Sequence, residues 1–260
     1  MQTVHSPALM PCQASATGTL QLTQRVAGPA DGPPILIATM HGKEAVLAPP
    51  LADLGFQVLL PLEYDTDLLG TFSGDVRRPG TAFEAALEKA RRACIATGVP
   101  RAISSEGSYR PCQTLFPAAR NAEILAFVDL ESGQEFVEYM TDLPTRFVKD
   151  RVPADFSSPQ VQALLSAMGW PDVRAMVVPE DPGQGVVQPE WVFKGLADAP
   201  SLIEAMRVCA AHSSDGWVHL ESDLRAHMNP TRMAAVARVG ERLVQRLRRQ
   251  GYGQPLQWAA

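Results

Sequence analysis

Residues 70–107, GTFSGDVRRPGTAFEAALEKARRACIATGVPRAISSEG, run through a glycine-marked loop, a capped helix and a short strand. Thr81 stands three residues before Glu84, the spacing of a capping box. Phe83, Ala86, Leu87, Ala90 and Cys94 recur at helical spacing, and Gly98 supplies a stop, so the pattern predicts a helix over 82–97. Ala102 to Ser105 reads as a short buried strand, with Glu106-Gly107 where that strand opens into a loop. Ligands of open α/β sheets gather outside the carboxyl ends of strands, so Glu106 stands where chemistry is expected.

Toward the N-terminus, Ile35–Thr39 is a continuous apolar run bounded by Pro34 and His41, the pattern of a buried parallel strand. Leu20–Val26 alternates like a strand, and Ala27–Pro34 is a turn. A helix is expected from Lys43 to Leu54, broken or kinked at Pro49-Pro50 and closed by Gly55. Gln57–Leu60 is the next strand. This alternation of strand and helix predicts an α/β fold.

Toward the C-terminus, Glu123–Leu130 and Gln134–Met140 read as a hairpin around Glu131-Ser132-Gly133. Ser158-Pro159 starts a helix that Gly169 ends. Strands are expected at Val173–Val178, around Trp191–Phe193 and at Trp217–Leu220. Ser201 and Glu204 suggest a second capping box, on a helix reaching about Ala211. Asn229-Pro230 caps a long helix through Arg249, with Met233, Val236, Val239, Leu243 and Leu247 along one face. The expected architecture is a mixed, mostly parallel sheet flanked by helices, followed by a smaller α/β C-terminal portion. Residues 1–18 read as a flexible arm, 19–150 as an α/β domain with a phosphate-ligand cleft, and 151–260 as the smaller portion.

Composition is ordinary for a globular chain, at 46% hydrophobic and 20% charged residues. The net charge of −5 argues against general nucleic-acid binding. No window approaches ~18 uninterrupted apolar residues, so no membrane span is expected. The first residues lack a basic start and carry Pro7 and Pro11, unlike a signal peptide. Cys12, Cys94, Cys112 and Cys209 form no Cys-x-x-Cys pair, which suggests neither a zinc cluster nor a disulfide framework. A cytoplasmic protein fits these features best.

Thr39-Met40-His41-Gly42-Lys43-Glu44 follows the first buried strand and opens a helix. Backbone N–H groups at a helix start, a flexible Gly42 and a cationic Lys43 suit a phosphate group, although the Walker pattern is missing. Thr39, Gly42, Lys43 and Arg110 are therefore phosphate-binding candidates, set against the plainer reading of a turn with a surface lysine. Glu84 and Glu106 are candidate catalytic and metal-ligating acids: two carboxylates on one rim suit Mg²⁺, with substrate phosphates completing its shell. Capping alone would also explain Glu84. Arg77, Arg78, Arg110 and Arg120 in flanking loops suit phosphate oxygens. Before the last helix, Asp223, Arg225, His227 and Arg232 are candidates for a second part of the site. Nucleophilic catalysis has little support, since Gly-x-Ser-x-Gly is absent.

ATMHGKE at 38–44, YDTDLLGTFSG at 64–74, SSEGSYRP at 104–111 and ESDLRAHMNPTRM at 221–233 together resemble a bacterial family of uncharacterised proteins, a domain of unknown function. Over 35–107 a second likeness enters. Thr39-x-x-x-Lys43, then Gly80-Thr81-Ala82-Phe83-Glu84 with Lys89-Ala90, then a strand ending in an acid-Gly pair, is similar to the inosine triphosphate pyrophosphatase family. That resemblance implies a Mg²⁺-dependent nucleoside triphosphate pyrophosphatase, with Lys43 on phosphate, Glu84 on the metal and Glu106 on metal or water. The family's loop Asn is replaced around Met40-His41, and its paired aspartates by Ser104-Ser105. The alternative is a nucleotide- or phosphate-binding sensor module without the catalytic acids. Either reading expects a small phosphorylated ligand as the partner.

Overall fold

In the computed structural model the described residues are 23–62, 81–111, 119–141, 145–180 and 188–253. Six strands form the first sheet: β1 (Thr23–Ala27), β2 (Pro34–Ala38), β3 (Gln57–Pro61), β4 (Arg101–Pro111), β5 (Ala119–Asp129) and β6 (Gln134–Thr141). Their spatial order is β1-β3-β2-β4-β5-β6. The sheet is mixed, as the pattern implied, but not mostly parallel: β2 pairs parallel with β3 and β4, while the pairs on either side are antiparallel because β1 and the β5–β6 hairpin extend it at its edges.

Helix α1 (Glu44–Ala52) leads from β2 to β3, and α2 (Ala82–Thr97) precedes β4 on the other side of β2. The chain thus reverses its direction of travel across the sheet at β2, which makes the rim between β2 and β4 a topological switch point. The two helices cover opposite faces. Leu47 and Leu51 of α1 join Ile35, Ile37, Ile103 and Phe127 in one core, whereas Ala90, Ala93 and Cys94 of α2 join Leu36, Ala38 and Ala102 in another. Strand alternation then sorts the polar end of β4: Ser104 and Glu106 belong to the α2 face, Ser105 and Gly107 to the α1 face.

The capping box on α2 is present in full, and Gly98 closes the helix in the left-handed region at φ 69°. Helix α1, in contrast, passes through Pro49 and Pro50 without the expected break. Each proline removes one amide, but Pro49 O still accepts from Asp53 N and burial of Leu47, Ala48 and Leu51 holds the segment. Strand β4 does not end at Ser105. It runs on to Pro111 because β5 supplies a continuous antiparallel ladder from Asp129 to Ala119, well past the point where β2 stops at Ala38. Glu106 therefore sits within a strand rather than at a loop.

The second sheet contains β7 (Lys149–Pro153), β8 (Ala175–Pro179), β9 (Phe193–Leu196) and β10 (Trp217–Ser222), in the order β7-β10-β8-β9 and antiparallel throughout. Helices α3 (Pro159–Met168) and α4 (Ala199–Ala211) bury Val161, Leu165, Leu202 and Met206 against Val177, Val218 and Leu220. The cap of α4 is Asp198, which accepts from Ser201 N, and Glu204 pairs with Arg207 instead of closing a box with Ser201. Asp198 wins because Pro200 is already inside the first turn. Residues 189–191 form a single 3₁₀ turn, so the strand expected there begins at Phe193.

The last helix, α5 (Pro230–Arg249), follows the second sheet in sequence but packs on the first, placing Val236, Val239, Leu243 and Leu247 against the α1 face. The expected arm over residues 1–18 lies outside the described residues. Among those described, no helix is long and apolar enough to cross a membrane.

Candidate functional site

The site begins where β2 ends. His41 and Gly42 both take positive φ, 71° and 73°, and Lys43 returns to the right-handed region to start α1. A non-glycine residue at positive φ is uncommon; here His41 O accepts from His227 N at 3.1 Å, and the two imidazoles stack with centroids 5.5 Å apart. Among the described residues, the amides of Gly42, Lys43 and Glu44 donate to no acceptor, and Lys43 caps α1 without a side-chain bond. Such a turn into a helix start leaves N–H groups and positive dipole for an anion.

Lys43 is 5% exposed and donates from Nζ to Ser105 Oγ at 2.5 Å. Burial lowers its pKa to about 8, with Arg232 adding to the shift and Glu123 and Glu106 opposing it. Burial also lowers His41 to about 4, helped by Lys43, His227, Arg232 and Arg225, so its imidazole is neutral at pH 7. Thr39 lies one residue beyond the last β2–β4 pair, on the same face as Ser105, and its Oγ1 is buried without a hydrogen-bond partner among the described residues.

The second candidate set arrives from the connection between β10 and α5. Arg232, 7% exposed, donates from Nε to Glu123 Oε1 at 2.8 Å and from its terminal nitrogen to Leu224 O. Tyr109 OH donates to the same Glu123 oxygen at 2.9 Å. Asp223 accepts from Arg225 on both carboxylate oxygens. His227 lies between His41 and an open groove of about 470 Å³ lined by Arg146, Asp172, Arg174, Pro230 and Thr231.

The structure therefore unites Thr39, Gly42, Lys43, His227 and Arg232 along one rim, with Asp223 and Arg225 behind them. The two acids have separate partners. Glu84 is exposed at the start of α2, where its carboxylate accepts from Thr81 N and Thr81 Oγ1, and this lowers its pKa. Glu106 is buried on the α2 face in an ion pair with Lys89. As arranged, the two hold Thr81 and Lys89 rather than a shared ion, and no three His, Cys, Asp or Glu among the described residues converge on a cation position. Arg77 and Arg78, and the side chains of Arg110 and Arg120, lie outside the described residues.

Sequence reasoning missed Ser105, Tyr109 and Glu123 as members of this rim. A faint signal existed for Glu123, a carboxylate opening the apolar run of β5, but its partner lies in α5, and nothing local announces that.

Taken together, the fold and its rim define an α/β protein with a buried polar site at the switch point of a mixed sheet. The chain belongs to the family described as Domain of unknown function (DUF6671), whose model matches residues 89–252. That range takes in Glu106, Glu123 and Arg232 and begins after the loop of Lys43. Comparison with curated proteins and with solved structures finds no match.

Proposed function

We propose that this protein binds a small phosphorylated ligand at the rim between β2 and β4. The observation that carries the reading is Lys43: a buried ammonium at a helix start, beside three backbone amides that meet no acceptor among the described residues. Burial first, and then cationic neighbours, push the pKa values of both His41 and Lys43 down. An incoming anion would relieve that crowding and offer acceptors to Gly42, Lys43, Glu44 and Thr39.

The binding reading is favoured over hydrolysis because Glu84 and Glu106 already have other partners. A pyrophosphatase similar to the inosine triphosphate family would need both freed from Thr81 and Lys89.

Thermal denaturation with inorganic phosphate, nucleoside monophosphates and nucleoside triphosphates, with and without Mg²⁺, tests the proposal. A ligand at a hundredfold its Kd stabilises by about 2.7 kcal/mol, and Lys43→Met is expected to abolish the response. No stabilisation by any of these anions would end the reading. Pyrophosphate release in the Mg²⁺ samples would replace it with the hydrolase.

A further inference from the structure

We infer that the ligand of this rim carries an amino group at the end away from its anion, received by Glu123 Oε2 and Asn121 Oδ1. The inference rests on the phosphate-binding reading above and names the chemical class of its ligand.

Glu123 and Asn121 are each 1% exposed. They stand two positions apart on β5 and so share a face, the one that carries Ser105 and Gly107 on the paired strand β4. Each has one satisfied end and one that is not. Glu123 Oε1 takes Arg232 Nε and Tyr109 OH, while Oε2 has no hydrogen-bond partner among the described residues. Asn121 Nδ2 donates to Thr145 Oγ1 at 2.6 Å, while Oδ1 has none. A buried acceptor without a donor has lost its water for nothing in return, and native interiors rarely tolerate it.

Both orphans are acceptors, so the missing partner is a donor with at least two hydrogens. An amino group fits: it brings two or three N–H bonds, and an ammonium brings no lone pair needing a donor of its own. Arg232 is already matched by Oε1, so the amino group meets the remaining negative edge of Glu123. Lys43 Nζ meets Ser105 on β4, and Glu123 lies one strand over and two residues further along, about 8 Å away, which sets the separation of the two ends of the ligand. An aminoalkyl phosphate is the simplest molecule of this kind.

Calorimetric titration of the full chain with 3-aminopropyl phosphate and with propyl phosphate, at equal ionic strength, tests the inference. The amino compound is expected to bind about tenfold tighter or better, the gain of one charge-assisted hydrogen bond. Asn121→Ala, which leaves the Arg232 pair untouched, is expected to shrink that preference while propyl phosphate still binds. Equal binding of the two compounds to the wild type would overturn the inference, with the orphan oxygens then hydrated, and leave the phosphate reading intact. Binding of neither would remove both.

Discussion

Arg232 Nε donates to Glu123 Oε1 at 2.8 Å, joining the first turn of α5 to β5 across 109 positions of sequence. Both side chains are less than a tenth exposed, and the guanidinium also covers the ring of Tyr109 at 5.2 Å. Gly107 makes this possible. A Cβ there would collide with Nη2 of Arg232, in a guanidinium whose Nε is held by Glu123 and whose Nη1 is held by Leu224 O.

Arg232→Met removes one partner of a buried pair and leaves Glu123 uncompensated. The expected loss is about 3–5 kcal/mol in urea unfolding. The double variant Arg232→Met/Glu123→Gln is expected to lose less than the single one, since no lone charge remains. A single-variant loss below about 1 kcal/mol would show that the pair does not tie α5 to the sheet.

The pH dependence of stability follows from His41, whose pKa falls from 6.5 to about 4 on folding. The unfolded chain binds the extra proton, so stability is lost as pH falls from 6.5 toward 4. His41→Asn, which tolerates positive φ, is expected to flatten that slope in urea titrations from pH 4.5 to 7. Lys43 acts in the same direction at higher pH: its pKa falls from 10.5 to about 8, so stability rises with pH across that window. Lys43→Met is therefore expected to gain about 1–3 kcal/mol at pH 7, burial of the charge outweighing the bond to Ser105. A loss instead would mean that Glu123 and Glu106 more than offset the cost of burial.

Glu84 separates a capping role from a ligand-binding one. Thr81→Ala is expected to cost about 1 kcal/mol through the lost cap. Glu84→Ala is expected to destabilise in the same direction and to leave phosphate-induced thermal shifts unchanged. Loss of the ligand response in Glu84→Ala would bring that carboxylate into the site.

The helix over 82–97 was legible because its signals are local: a capping box, an apolar stripe and a terminal glycine all lie within about twenty residues. The first turn of α5 shows where locality fails. Its stripe suggested Met233 on the inner face, yet Arg232 is the buried residue. A charged side chain reads as solvent-facing until its partner is known, and that partner is on β5. The end of β4 was misjudged for a similar reason. Ala102–Ser104 is the part flanked by strands on both sides, and the polar continuation is strand because β5 lies alongside it.

By itself the sequence determined the α/β class, most of the helices with their caps, and Lys43 at the opening of a helix after a buried strand. Periodicity and capping act through neighbours in the chain, and they need nothing distant to be read. Tertiary structure alone decided that α5 returns to the first sheet, bringing Arg232 to Glu123 and His227 to His41. It also decided that strand alternation turns Glu106 toward Lys89 and Ser105 toward Lys43. Those meetings depend on which strand lies beside which, and packing of the two faces sets that order rather than the spacing of residues.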